Sequence, residues 1–266
     1  MPRSGTTLLY QLIISFFNVT YLSNFIVRHH KAPFIADFIS NLTIKNKNKH
    51  EFKSKYGYTP HASGPSEAGR IWQKWLPKKE DYSNKGSHTN SKFVGFKNFI
   101  KYWILYKSKP LVIKNLRFGQ RIKLINTLFP EALFIVVERE PLYTLQSIYL
   151  AGDKMVSNLK DWCSNESFEN KEKAETIYLI YKSIKTTYQE DVQNVSPKRV
   201  LEVSYENICQ CPSITLEKIN DFFKLNGINV ENKCVDRSIA FENRNKVRMP
   251  ENEFTNLKKV LTSYEQ

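Results

Sequence analysis

Apolar residues recur along this chain with two periods, and the changes between them mark out the elements. Leu8, Leu9, Leu12 and Ile13 keep helical spacing, which predicts a buried helix to about Phe17 and then a short strand at Val19-Thr20-Tyr21-Leu22. Residues 28–60 read as a helix and then a loop holding the basic tract Lys45 to Lys55. Loop residues His61 to Pro65, an N-cap near Ser66, and Trp72 three before Trp75 announce the next helix. Phe93, Phe96, Phe99, Ile100, Trp103 and Ile104 return at helical spacing, a pattern of core packing.

The second half changes rhythm. Pro110 to Asn115 predicts a buried strand, Phe118 to Phe129 an amphipathic helix stopped at Pro130, and Leu133-Phe134-Ile135-Val136-Val137 the strongest strand of the chain. A continuous apolar run of this kind belongs to a parallel sheet covered on both faces, and strand, helix, strand at this spacing is a βαβ unit. A long helix over 170–193, a strand at Arg199 to Val203 and a helix from Pro212 to Phe223 complete an α/β pattern. At 266 residues the expectation is a single domain over 1–266. Leu8 to Val27 is apolar enough to suggest a membrane anchor, but Gln11, Ser15, Asn18 and Asn24 interrupt it, so no transmembrane segment is expected.

The candidate chemistry begins at Pro2-Arg3-Ser4-Gly5-Thr6-Thr7-Leu8-Leu9. A Gly between small hydroxyl residues, just ahead of an apolar helix, gives a tight turn whose amides point into a helix start. Those amides lack intrahelical partners, and the helix dipole adds positive charge there, so the turn suits an anion. Thr6 and Thr7 supply hydroxyls and Arg3 a planar fork of donors. Thr6 stands where a nucleotide triphosphatase needs Lys, so this is a phosphate loop of another kind. Loops of this kind close a parallel strand, and only Met1 precedes Pro2; the central first strand is expected upstream, with Met1 an internal methionine.

A second anion site is suggested at Glu138-Arg139-Glu140-Pro141, where a parallel strand delivers functional residues. Ser147 lies two helical turns further on and on a similar face. Glu138 and Glu140 are expected to point away from Arg139.

P-R-S-G-T-T-L-L resembles the 5′-phosphosulfate loop of sulfotransferases that use 3′-phosphoadenosine 5′-phosphosulfate (PAPS), in the broad bacterial and Golgi-type branch. R-x-P followed by Ser resembles the family's 3′-phosphate motif, although Glu140 stands where Asp or Asn is usual. The resemblance implies a P-loop-type three-layer α/β/α fold with a central parallel sheet, its first strand truncated here. It implies that Arg3, Ser4, Gly5, Thr6, Thr7, Leu8, Arg139 and Ser147 hold the donor. Ser204-Tyr205-Glu206-Asn207-Ile208 resembles a family segment that sets Tyr205 near the nucleotide. Glu67 matches a carboxylate that several groups place between the motifs as base, whereas the K-x-H-x-P stretch of the cytosolic enzymes is missing; His61 and Lys114 are weaker candidates. The basic loop Phe241 to Arg248 falls where the family closes over the nucleotide, yet no R-K-G-x-x-G is present.

The implied reaction is a metal-independent, in-line transfer of a sulfuryl group from PAPS to a hydroxyl or amine of a glycan, lipid or small metabolite, with Arg3 and Glu67 catalytic. The net charge of +14 fits an anionic ligand and by itself also fits nucleic acid or an anionic membrane; with the two motifs, a nucleic-acid partner is not expected. His29 and His30 diverge on a helix, so they share no metal. Four cysteines without a C-x-x-C pair suit reduced thiols in the cytoplasm. A P-loop kinase is the competing enzyme, lacking its Lys and a strand-end Asp; an inactive fragment of the same family is another alternative.

Overall fold

The computed structural model describes residues 2–44, 52–54, 57–76, 91–160, 163, 168, 171–233 and 239–265. Helices α1 (Thr6–Phe16), α2 (Asn24–Arg28), α3 (Pro33–Thr43), α4 (Gly69–Trp72), α5 (Ser91–Lys107), α6 (Leu116–Gly119) and α7 (Ile122–Leu128) precede strand β1 (Phe134–Glu138). Between β1 and β2 (Val200–Ser204) lie α8 (Pro141–Tyr149), α9 (Asp153–Lys160) and α10 (Lys173–Val192). After β2 come α11 (Tyr205–Gln210), α12 (Pro212–Leu225) and α13 (Glu251–Glu265). Proline at the first helical turn, where its missing N–H is no loss, starts α3, α8 and α12. Side-chain oxygens of Ser23, Asn115 and Ser204 cap α2, α6 and α11.

β1 and β2 are parallel and in register, Phe134 opposite Val200 and Glu138 opposite Ser204. Successive side chains alternate between the faces of a sheet. Val137 and Val203 therefore enter a core built with α1 and α12, while Val136 enters a second one with Ile122 of α7 and Tyr188 of α10. A third cluster packs Trp72 and Trp75 against Phe96, Phe99 and Trp103 of α5, and a fourth joins α8, α9, α10 and α13. The chain is thus a mixed α/β protein with parallel pairing and helices on both faces of its small sheet.

Three expectations are corrected. The runs 19–22 and 110–115 are not strands but meet in one parallel bridge, Thr20 with Leu111, made by Thr20 N–H to Pro110 O (2.8 Å) and Val112 N–H to Thr20 O (2.9 Å). Beside them is a cavity of about 420 Å³, with Leu111, Val112 and Ile113 on one wall and Phe134 and Ile135 on the other. Among the described residues the ladder pairing of the 110–113 run is this one bridge, and Val112 O also accepts from the Tyr10 hydroxyl (3.3 Å). The helix expected over Phe118 to Phe129 is two, α6 and α7, parted where the buried Gln120 donates to Ile184 O (3.3 Å). The N-cap near Ser66 is not one: α4 starts at Gly69, and the Ser66 hydroxyl instead accepts from Ala68 N–H (3.2 Å).

Cys163 and Cys209 are buried and Cys211 exposed, all three free. Among the described residues no helix is long and apolar enough to cross a membrane. Cys234, the loop over 77–90 and most of the Lys45 to Lys55 tract lie outside the described residues.

Candidate functional site

The amino-terminal turn is built from backbone conformations that few residues accept. Arg3 (φ 62°) and Gly5 (φ 90°) are both left-handed, so the chain doubles back before Thr6 opens α1. Glycine takes such a φ without cost and Arg does not. Gly5 also answers a packing demand, because a Cβ there would stand 2.4 Å from Cδ2 of Tyr205. Pro2 and Ser4 are buried, and α1 has no side-chain cap bond at its amino end. The turn therefore rests on the Tyr205 ring, with the first amides of α1 leading away from it.

Arg139 leaves the carboxyl end of β1 and meets the same ring from another direction. Its guanidinium carbon is 4.4 Å from the Tyr205 ring centroid, a cation–π contact, and its Nη1 donates to the carbonyl of Arg3 (3.1 Å). Arg3 in turn donates from Nε to the hydroxyl of Ser147 (3.1 Å), which is buried on α8. Two motifs more than 130 residues apart in sequence are thus joined by direct hydrogen bonds and a shared aromatic ring.

Electrostatically the centre is cationic. Burial pulls the Arg139 pKa below the ordinary arginine value; the nearby charges of Arg248 and Arg3 push the same way, opposed by Tyr205 and Glu206. Burial likewise raises the pKa of the Tyr205 hydroxyl and of the Cys209 thiol. Glu138 turns to α10, where it accepts from the Tyr188 hydroxyl (2.6 Å). Glu140 occupies the N-cap position of α8 without capping it. The carboxylate held near Arg139 is Glu206, which accepts from the Asn245 amide (2.6 Å) and from Glu140 N–H (3.3 Å).

The segment after residue 241 closes this centre. Arg139 donates from Nε to Asn245 Oδ1 (2.8 Å) and from Nη2 to Arg244 O (3.2 Å), while Arg244 N–H donates to the Tyr205 hydroxyl (3.2 Å). Gln146, fully buried beside Ser147, anchors the same segment by donating to Lys246 O (3.0 Å) and accepting from Arg248 N–H (2.7 Å). Sequence reasoning marked this basic loop but not Asn245, Gln146 or Glu206 as its fasteners. The Tyr-Glu pair at 205–206 was the one signal available for Glu206.

Glu67 lies just ahead of α4 rather than in its first turn, next to Ala68 in a left-handed conformation (φ 51°). Its partner is Lys114, with which it forms an ion pair, and its backbone carbonyl accepts from the Asn115 amide (2.7 Å). Gly57 (φ 90°) lets the backbone pass close by: a Cβ there would lie 2.6 Å from Glu67 Oε1. Tyr10 of α1 feels this carboxylate: burial raises its pKa most, with Tyr21 and Glu67 adding to the rise. Thr6 and Tyr10 share a helix face and, with Lys114, line the large cavity. So the Glu67–Lys114 pair stands near the face of α1 that carries Thr6. His61 is exposed with φ 68°, and its carbonyl accepts from the Asn24 amide (2.9 Å). Among the described residues no three His, Cys, Asp or Glu side chains gather as metal ligands would.

Compared with known proteins, the chain matches the model of one family, described as "Sulfotransferase family", over residues 1–228. No curated protein matches it.

Proposed function

The chain belongs to the sulfotransferase family and is a sulfuryl-transferring enzyme, and from that premise we propose that its donor is PAPS and its acceptor a hydroxyl or amine of a glycan, lipid or small metabolite, as in the bacterial and Golgi-type branch. One observation carries this reading. Gly5 of the first motif and Arg139 of the second pack on Tyr205, and Arg3 is bonded to both Arg139 and Ser147, so the residues suited to the two ends of a nucleotide are neighbours in space.

The residues present fit such a donor. Left-handed Arg3 and Gly5 double the backbone back on the Tyr205 ring, and the amides at the start of α1 offer donors and a dipole to a 5′-phosphosulfate. Arg139 and Ser147, fastened by the 244–248 segment, offer a charged fork and a hydroxyl to a 3′-phosphate. In an in-line displacement negative charge grows on the oxygen that leaves sulfur. Arg3 and the amides of Gly5 to Thr7 stabilise it, and since donors fixed before the reaction need no reorganisation, this electrostatic term dominates the catalysis. Glu67 takes the acceptor's proton, with Lys114 holding its carboxylate in place. Ser4, Thr6, Thr7 and Leu8 belong to the donor loop, and Tyr205 is the floor on which both Gly5 and Arg139 rest. The reaction needs no metal.

The fold reading extends likewise to a three-layer P-loop arrangement. What supports it is the cavity between residues 111–113 and β1, parallel pairing on either side of it, and the entry of α1 beside it.

Calorimetric titration with adenosine 3′,5′-bisphosphate tests the donor. Binding should be the same with and without Mg²⁺ and be lost in Arg139→Ala while the melting temperature shows a folded protein. Binding that requires Mg²⁺, or that survives Arg139→Ala, overturns the assignment.

A further inference from the structure

Helix α3 wears its apolar side outward. Asp37 and Ser40 are buried, Asp37 paired with Lys107 of α5 (2.8 Å), while Ile35, Phe38, Ile39 and Leu42, at positions i, i+3, i+4 and i+7, are between 43% and 70% exposed. A stripe at this spacing ordinarily faces a core, and a contiguous apolar surface turned to water marks a place where something docks. Tyr106 of α5 extends it: its ring packs edge-on against Phe34 of α3 and is nearly half exposed, with exposed Tyr102 one turn away.

The charges around the stripe have one sign. Residues 24–44 carry Arg28 and Lys31 and a single carboxylate, Asp37, which is buried; α5 carries Lys92, Lys97, Lys101 and Lys107 and no carboxylate. Arg28, Lys31, Lys97 and Lys101 are exposed. Among the described residues of these two segments the exposed charges are cations, and apolar and aromatic side chains so bordered complement a surface whose interior is hydrocarbon and whose rim is phosphate. We propose that α3, with the adjoining flank of α5, docks on an anionic membrane surface, seating Ile35, Phe38, Ile39 and Leu42 at the acyl boundary and the four cations among the headgroups. A second copy of the chain suits the face less well, because pairing two such faces sets cations against cations while Asp37, the carboxylate of residues 24–44, is buried. Nucleic acid would leave the stripe in water.

This stands independently of sulfuryl transfer, and its test needs no activity. In cosedimentation with vesicles, the full chain should bind phosphatidylglycerol-rich membranes and not phosphatidylcholine alone, more weakly as salt rises. The triple variant Ile35→Ser, Phe38→Ser, Leu42→Ser should lose binding by roughly tenfold or more, with an unchanged melting temperature because these side chains are exposed. Absence of binding to anionic vesicles, equal binding by the variant, or a dimer in light scattering that the variant abolishes would each overturn it.

Discussion

A methyl group added at Gly5 meets the Tyr205 ring at 2.4 Å on a backbone of φ 90°, whereas the same group at Gly119 meets nothing within 4 Å. Ring and turn cannot both stay where they are in Gly5→Ala, and we expect a loss of roughly 2–4 kcal/mol from strain and overpacking. Gly119→Ala, at the end of α6, should instead be neutral or stabilising by up to about 1 kcal/mol, because it removes freedom from the unfolded chain. Urea denaturation of both variants checks the contrast, and equal effects would show that Gly5 is not held by Tyr205. At this scale the sequence displays which residue types are able to hold an anion, which is why Gly5, Arg139 and Ser147 stand out in it. It does not display who touches whom: Arg3 on Ser147, Arg139 on Asn245 and Gln146 on the 246–248 backbone are long-range contacts that carry no local pattern.

Elements were legible where burial on existing neighbours sets their period. β1, β2, α10 and α12 fall within a few residues of their expected positions, since each presents apolar side chains to cores that the chain itself supplies. The runs at 19–22 and 110–115 are also rich in apolar residues and fail as strands, because a ladder needs successive bonds to one neighbour: the two runs meet in the single Thr20 bridge, and Leu22 O is taken instead by Ser66 N–H (2.9 Å). The short α2 depends on the Ser23 cap, and α11 on Ser204, whose hydroxyl accepts from Asn207 N–H (3.1 Å). Since α11 begins with Tyr205, that cap also fixes the floor of the candidate site. Ser204→Ala should cost about 0.5–2 kcal/mol, and Ser204→Asp should restore most of it by capping equally well. Denaturation midpoints of the two variants check this, and an undiminished Ser204→Ala would mean that packing alone positions Tyr205.

For the whole molecule the decisive feature is the cavity of about 420 Å³ between the 111–113 run and β1. Protein interiors are close-packed, and a gap of this size lined by Leu, Val, Ile and Phe leaves those side chains without partners on one side. Leu111, Val112, Ile113, Phe134 and Ile135 are accordingly only half-buried, although their continuous apolar runs are those of strands covered on every side. Pro2 lines a small neighbouring cavity with Leu116 and Gly119, residues that also line the large one, so the amino-terminal turn adjoins it. A strand of about five apolar residues matches β1 in length. At roughly 25 cal/mol per Å² of apolar surface removed from water, covering about 120 Å² of its lining recovers about 3 kcal/mol. For a chain of this size that corresponds to a melting temperature higher by roughly 6–12 °C. Fusing a Val- and Ile-rich pentapeptide ahead of the amino end should produce such a rise. A Gly-Ser pentapeptide should not, nor should the apolar one with Pro at its centre, because proline removes a ladder hydrogen bond. If all three extensions melt together, the cavity is not the seat of a strand, and the parallel pairs on its two sides belong to separate sheets.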